Sequence, residues 1–154
     1  MRNVYRVLAG LIALGVVIQS MAMVYAIAGL GIWVDQGGVL DRTAFEGEES
    51  LFPEDVGFAV HGMNGMMVIP ALALLLLVAS FFAGVAGATK RALLVLGLVV
   101  LQVALGLFGH ELAALGALHG INALVLLGAA VWTARSARPV TGAAQRQAQE
   151  PATG

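Results

Sequence analysis

Residues 56–86 decide the fold of this chain, and they read VGFAVHGMNGMMVIPALALLLLVASFFAGVA. The run contains no charged residue and exceeds the ~20 apolar residues that an α-helix needs to cross the hydrocarbon core of a bilayer. Further apolar runs lie outward from it, at about 8–33, 92–109 and 112–133. The sequence therefore predicts an all-α membrane protein in which four spans form an up-down four-helix bundle. Pro70, near the middle of the second run, predicts a bend there.

The composition supports a membrane protein and excludes several classes of function. Hydrophobic residues make up 60% of the 154 residues and charged residues only 11%, whereas a soluble domain has about 25% charged residues. The absence of cysteine excludes disulfides, thiolate metal sites, iron–sulfur clusters and covalently attached haem. The net charge of −1 provides no basic surface to neutralise phosphates, so no nucleic-acid partner is expected.

Charged residues are divided unequally between the two predicted sides of the bundle. Eight of the nine acids fall on one side, mostly within the loop 35–55. Seven of the eight basic residues fall on the other side, namely Arg2, Arg6, Lys90, Arg91, Arg135, Arg138 and Arg146. Because basic residues are retained in the cytoplasm, we predict a multi-pass protein of the plasma (inner) membrane. Both termini are then cytoplasmic, and the acidic loop 35–55 lies outside.

The two ends of the chain need separate interpretation. Arg2 and Arg6 precede an apolar run, as in a signal peptide, but a run of about 25 residues exceeds the 7–15 residues of a signal-peptide core, so we interpret it as a span. After Arg135 the composition changes to Ala, Gln, Thr, Gly and Pro, which cannot bury enough apolar surface to fold. The predicted organisation is a membrane bundle over residues 1–135 and a disordered cytoplasmic tail over residues 136–154.

A four-residue pattern, His-Gly-apolar-Asn, occurs in both the second and the fourth span. Its two copies are His61-Gly62-Met63-Asn64 and His119-Gly120-Ile121-Asn122, at an offset of 58 residues. The first and third spans share a weaker echo at an offset of 82, Leu14-Gly15-Val16-Val17 and Leu96-Gly97-Leu98-Val99, and a glutamine follows each. We therefore predict two related helical hairpins, a parallel internal repeat with a pseudo-twofold axis along the membrane normal.

The repeat places His61 and His119 at a similar depth, on the order of 8–10 Å below the outer surface. The second and fourth spans lie diagonally across an up-down bundle, so the two imidazoles can face each other over a central cavity. Polar groups at this depth usually face the bundle interior and mark functional sites. With no other strong ligand nearby, the simplest occupant is a haem iron that takes both histidines as axial ligands.

Neighbouring residues are candidates for the same site. Gly62 and Gly120 remove side-chain bulk where a flat macrocycle needs room. Asn64 and Asn122, three residues after each histidine, could hydrogen-bond ring nitrogens, propionates or each other.

Three further polar residues belong to the prediction. Gln19 and Gln102, at mid-membrane depth, are expected to form hydrogen bonds between helices. His110, at the outer turn, is either a solvated interfacial residue or a proton acceptor and propionate contact at the mouth of the pocket.

The stretch Leu101-Gln102-Val103-Ala104-Leu105-Gly106, with Leu115-Gly116-Ala117-Leu118-His119-Gly120-Ile121-Asn122-Ala123-Leu124 after it, resembles the third and fourth spans of one half of heme A synthase. That family consists of two similar four-helix halves, each with paired histidines on its second and fourth helices near the outer membrane face. The resemblance covers about residues 56–135. It implies that His61 is the axial ligand of the second helix and His119 that of the fourth.

The chain also departs from that family. It corresponds to a single half, it lacks the family's cysteine pair in the outer loop, and Glu54 and Asp55 stand before His61-Gly62 where the family has a Glu ahead of a His-Arg pair. The resemblance therefore implies haem b binding rather than heme A synthesis. In size the chain is also similar to small four-span bacterial membrane proteins and to compact b-type cytochromes, which implies electron transfer or haem handling.

Other interpretations are open at this stage. In a non-catalytic membrane subunit or a small channel, the histidines would only join the second and fourth helices by hydrogen bonds. Alternatively, Glu54 and Asp55 join His61 in a divalent-metal site. Besides membrane lipid, the candidate partners are a quinone, an external redox carrier and a second copy of the chain in a homo-oligomer. Whether the protein is an enzyme is undecided.

Overall fold

The computed structural model describes residues 1–47, 49–109 and 111–138, and every regular element within them is a helix. Four helical segments are long and apolar enough to cross a membrane: Arg2–Asp35, Pro53–Ser80, Ala88–Phe108 and Ala113–Ser136. The prediction of an all-helical, multi-pass membrane protein is therefore confirmed. Residues 139–154, most of the predicted tail, and His110 lie outside the described residues.

The described residues contain six α-helices, five of which lie in these four segments. The first span is α1 (Arg2–Asp35), and the short α2 (Arg42–Glu46) follows it. The second span consists of a 3-10 turn (Pro53–Asp55), α3 (Val56–Met63), a π-helical turn (Asn64–Val68) and α4 (Ile69–Ser80). The third and fourth spans are α5 (Ala88–Phe108) and α6 (Ala113–Ser136).

The second span ends earlier than the apolar run predicts, at Ser80 rather than at residue 86. Gly84 and Gly87 have φ angles of 61° and 70°, a left-handed conformation that glycine adopts without a steric penalty. These residues form the turn into α5. The start of α1 lies beside the turn, because Arg2 Nη2 donates to the carbonyl oxygen of Gly84 at 3.1 Å and Tyr5 Oη to that of Ala88 at 3.0 Å.

Near Pro70, where the sequence predicts a bend, a π-helical turn occupies Asn64–Val68, and Pro70 is the second residue of α4. Proline has no N–H to donate to the preceding turn, so its helix must be rearranged locally. π-Helical turns of this kind contain one extra residue and are frequent at functional sites. The turn separates α3, which carries His61, from α4.

The spans pack as two helix pairs. The first helix pair is α1 with Pro53–Ser80, the second is α5 with α6, and the pairs meet where α1 contacts α6 and α4 contacts α5. Their shared core is rich in alanine, which allows helix backbones to approach closely in lipid. It comprises Tyr5, Ala9, Ile12, Ala13, Val16, Ile69, Ala73, Leu76, Ala79, Ala83, Ala88, Ala92, Val95, Val99, Leu126, Ala130 and Ala137. We call this end of the bundle the Tyr5 end.

Towards the opposite end, burial occurs within the first helix pair. Ala22, Ala26 and Gly29 of α1 are buried there, together with Gly57 of α3. The shared core between the pairs reaches only as far as Val16 and Val99 along α1 and α5. Beyond those two positions lie cavities between the pairs, and both histidines line these cavities.

The close packing of α3 on α1 depends on Gly57. A Cβ atom there would overlap the carbonyl oxygen of Ala22 and lie 3.0 Å from Ala26 Cβ. We expect Gly57→Ala to destabilise the protein by about 1–3 kcal/mol, because a backbone obstacle cannot move aside cheaply. The measurement is the thermal unfolding midpoint in detergent, followed by circular dichroism.

Gly62→Ala is the matched control. Gly62 lies on the same helix as Gly57, and no heavy atom of a neighbouring element lies within 4 Å of the position that its Cβ would occupy. Alanine also has the higher helix propensity, so this variant should unfold at the wild-type temperature or slightly above it. Equal midpoints for the two variants would contradict the packing argument.

Candidate functional site

His61 of α3 and His119 of α6 lie together between the two helix pairs. Their ring centres are 6.2 Å apart, and the ring planes are inclined by 47°. The structure thus brings together the two histidines that the duplicated sequence pattern singles out. Each is partly buried.

Each histidine is fixed by a hydrogen bond to the neighbouring helix of its own pair. His61 Nδ1 lies 3.1 Å from the carbonyl oxygen of Gln19, and His119 Nδ1 lies 3.0 Å from that of Gln102. A carbonyl oxygen can only accept, so the ring donates through its Nδ1–H, which leaves Nε2 of a neutral imidazole with a free lone pair. Both rings are therefore held in the tautomer that binds a metal through Nε2.

The asparagines form bonds to the backbone and to glutamine rather than to the imidazoles. Asn64 Nδ2 donates to the carbonyl oxygen of Gly15 and to Oε1 of Gln19, both at 3.0 Å. The second helix pair has the same two bonds, at 3.0 and 2.6 Å, made by Asn122 to Leu98 and to Gln102. The predicted interhelical role of the glutamines is confirmed, and the asparagines join the same helices through their bonds to backbone carbonyls and to the glutamines.

These bonds align the first span with the third in a register that differs by one residue from the alignment of the two similar sequence stretches. Gln19 corresponds to Gln102 and Gly15 to Leu98, an offset of 83 residues. The echo gives 82 and pairs Gly15 with Gly97. Burial agrees with 83, because the buried residues Tyr5, Ala9, Ile12 and Val16 then match the buried residues Ala88, Ala92, Val95 and Val99.

The second and fourth spans change register at the π-helical turn. Before it, His61 and Asn64 match His119 and Asn122 at an offset of 58. After it, the buried residues Ile69, Ala73 and Leu76 match Leu126, Ala130 and Thr133 at an offset of 57. The extra residue of the π-helical turn accounts for the difference.

Two cavities adjoin the histidine pair, with volumes of about 280 and 370 Å³. His61, His119, Gln19, Gln102, Met23, Gly65 and Val103 line both of them. The first extends between α1 and α6, past Val24 and Leu124, and the second extends between the second and third spans, past Met66 and Leu107. Together they form a slot between the helix pairs, and most of its lining is apolar.

Glycines keep the slot open. Gly62 and Gly120 line the cavities, and neither has a heavy atom within 4 Å of the position that a Cβ would occupy. Gly106 is a further residue of the site, because a Cβ there would lie 3.1 Å from Cε1 and 3.2 Å from Nδ1 of His119. In the sequence, Gly106 stands out only as the last residue of the stretch 101–106 that carries the family resemblance. Its position one turn after Gln102, opposite His119, was the available signal.

The described residues do not support the divalent-metal alternative. Within residues 1–47, 49–109 and 111–138, no three His, Asp or Glu side chains are grouped to hold a metal ion. Asp55 instead accepts a hydrogen bond from the Leu51 N–H at 3.0 Å, through Oδ2. Glu54 packs against Gly29.

The chain was compared with protein-family models, curated proteins and solved structures. No family model, curated protein or solved structure matches it. The assignment of a function therefore rests on the residues and distances described above.

Proposed function

We propose that this chain is a b-type haem-binding integral membrane protein in which His61 and His119 are the axial ligands of one iron. The observation that carries the proposal is the 6.2 Å between the ring centres. Two imidazoles on opposite sides of one metal ion, with metal–nitrogen bonds of about 2.0 Å and each ring centre roughly 1.1 Å beyond its nitrogen, would have centres about 6.2 Å apart. The spacing thus leaves room for one metal ion.

The hydrogen bonds at Nδ1 support the same assignment. Metal-binding histidines almost always donate their other ring N–H to a carboxylate, a carbonyl or water, which fixes the tautomer and the ring orientation. Both His61 and His119 have this bond, to Gln19 and Gln102. With Nδ1 donating in both rings, each keeps a free Nε2, and the ring centres are 6.2 Å apart.

The slot suits a large, flat and mostly apolar group. Gly62, Gly65 and Gly106 provide space beside the rings, and the slot continues on both sides of the histidine pair. Besides the two ligands, the polar side chains that line both cavities are the neutral Gln19 and Gln102. Haem would supply a one-electron redox centre whose potential depends on its axial ligands and on burial.

The finer topology belongs to the same proposal. The matched hydrogen bonds and the offsets of 83, 58 and 57 support an up-down bundle built from a parallel internal repeat, with a pseudo-twofold axis that exchanges the two helix pairs. The charge distribution supports a plasma (inner) membrane location with both termini in the cytoplasm. The loop 35–55 and the haem then lie towards the outer face.

Electron transfer or haem handling is the role that this site fits. A quinone or an external redox carrier is the partner in the first case, and no electron partner is needed in the second. The chain has only three histidines, so it cannot form a second bis-histidine site across the bilayer. Redox activity would therefore be confined to the outer half of the membrane.

The absorption spectrum of the purified protein tests haem binding. Protein purified from haem-supplemented cells should be coloured, with one haem per chain and the reversible oxidised and reduced spectra of a six-coordinate low-spin iron. Extraction of the haem and its readdition should restore the spectrum. A colourless preparation that also fails to take up added haem would refute the proposal.

A second function is favoured by one specific observation. The hydrogen bonds of both histidines run between helices, from α3 to α1 and from α6 to α5. A non-catalytic membrane subunit or small channel would use these bonds to hold each helix pair together. From the sequence, the histidines are expected to join the second span to the fourth in this case, whereas their bonds join the first span to the second and the third to the fourth. Such bonds contribute about 0.6 kcal/mol each on average.

A further inference from the structure

Three arginines border a separate cavity at the Tyr5 end of the bundle. Arg6 lies in the second turn of α1, Arg135 in the last turn of α6, and Arg138 just after it. The cavity between them has a volume of about 630 Å³, the largest of the three described here. Its remaining lining residues are Gly10, Ala13, Val131 and Ala134.

The charge of this cavity is uncompensated within the part of the chain that the structure describes. Arg6, Arg135 and Arg138 are exposed, and none of them has a hydrogen bond or ion pair through its side chain there. The described acids lie in the segment 35–55 and at Glu111, at the opposite ends of the same helices. Three guanidinium groups therefore border one opening, and no carboxylate of the described residues lines it with them.

The wall of the cavity is apolar. Gly10 and Ala13 face Val131 and Ala134 across the junction of α1 and α6. Gly10 has no heavy atom within 4 Å of the position that a Cβ would occupy, so the absence of a side chain there widens the groove. The site combines a cationic rim with a groove lined by Gly10, Ala13, Val131 and Ala134, at the end of two helices long and apolar enough to cross a membrane.

We infer that this cavity binds an anionic phospholipid, with its phosphate among Arg6, Arg135 and Arg138 and an acyl chain along Gly10 and Ala13. Guanidinium groups bind phosphate oxygens through paired hydrogen bonds. Basic pockets between membrane helices are suited to anionic headgroups. The inference depends on the membrane location of the helices and is independent of haem.

Native mass spectrometry of the full-length protein tests the site. Phosphatidylglycerol and phosphatidylcholine with identical acyl chains are titrated separately against wild type, the double variant R135Q/R138Q and the control R2Q/K90Q. The control removes two positive charges from the same end of the bundle without touching the cavity lining. We expect the preference for phosphatidylglycerol to fall on the order of tenfold in R135Q/R138Q and to stay near wild type in R2Q/K90Q.

Three outcomes would contradict the inference. An equal loss of preference in both double variants would show general attraction to a positive surface rather than a site. Displacement of phosphatidylglycerol by millimolar inorganic phosphate would show that the arginines bind a phosphate group without an acyl chain. Retained lipid preference in G10L, which fills the groove below the arginines, would count against the acyl-chain contact, whereas its loss would support it.

Discussion

Alanine at His61 or His119 is expected to abolish the low-spin haem spectrum while the protein still inserts into the membrane. Loss of an outer-shell partner typically lowers metal affinity by roughly 10–100-fold, and loss of a ligand should exceed that. The remaining imidazole would leave at most five-coordinate, high-spin haem. Haem content per chain and the Soret spectrum of the purified variants provide the measurement.

Added imidazole distinguishes a lost ligand from a damaged fold. In His61→Ala or His119→Ala, free imidazole can occupy the space of the missing ring, and we expect millimolar imidazole to restore the low-spin spectrum. His110→Ala is the control because it removes the third histidine of the chain, and it should keep the six-coordinate spectrum. If both site variants bind haem as wild type does, the histidines are not its ligands and the hydrogen-bonding alternative is favoured.

Ala123→Phe, which fills the slot, is the variant for which haem binding and the hydrogen-bonding alternative predict the most different results. Ala123 lines the first cavity, beside His119 and Gly120. If a haem occupies the slot, the phenyl ring takes the space of the macrocycle, and haem content should fall below about a tenth of the wild-type value, since packed sites absorb little added volume. The hydrogen bonds of the histidines to Gln19 and Gln102 are left in place.

The alternative function predicts the opposite balance of effects. If the histidines only hold each helix pair together, the slot has no occupant to lose, and the added apolar contacts raise the thermal unfolding midpoint. Val125→Phe is the matched control, since Val125 is on the same helix and its side chain is 51% exposed. Wild-type haem content in Ala123→Phe together with raised stability would exclude the proposed slot.

The sequence predicted the spans and the histidine pair because both depend on strong, short-range signals. Uninterrupted apolar length determines whether a helix crosses a bilayer, and the fragments around His61 and His119 are identical at three of their four positions. Both signals can be read from consecutive residues of the chain. Neither required knowledge of which residues contact which.

The register between helices depends on packing and could not be predicted in the same way. The echo around Gly15 and Gly97 compares letters, whereas burial and the bonds of Gln19 and Gln102 respond to helix faces, and a shift of one residue rotates the face by about 100°. The same applies to Asn64, whose amide can reach a ring nitrogen, a carbonyl or a glutamine. Which one it reaches depends on how closely α1 approaches α3.

The π-helical turn Asn64–Val68 gives the second span a mechanical property that the fourth span lacks. His61 and Ile69 are eight residues apart, whereas His119 and Leu126 are seven apart, yet both spans present the histidine and the core residue to the interior. The wider turn takes up the surplus residue, so removal of one residue there would leave a regular helix with the same two faces. One residue added or removed elsewhere between them would turn the ligand by about 100° away from the core face. The second span can therefore lose one residue within the five residues Asn64–Val68 without a change in which side chains face the core. In the regular α-helical parts between the histidine and the core residue, the same change would rotate one of them relative to the other.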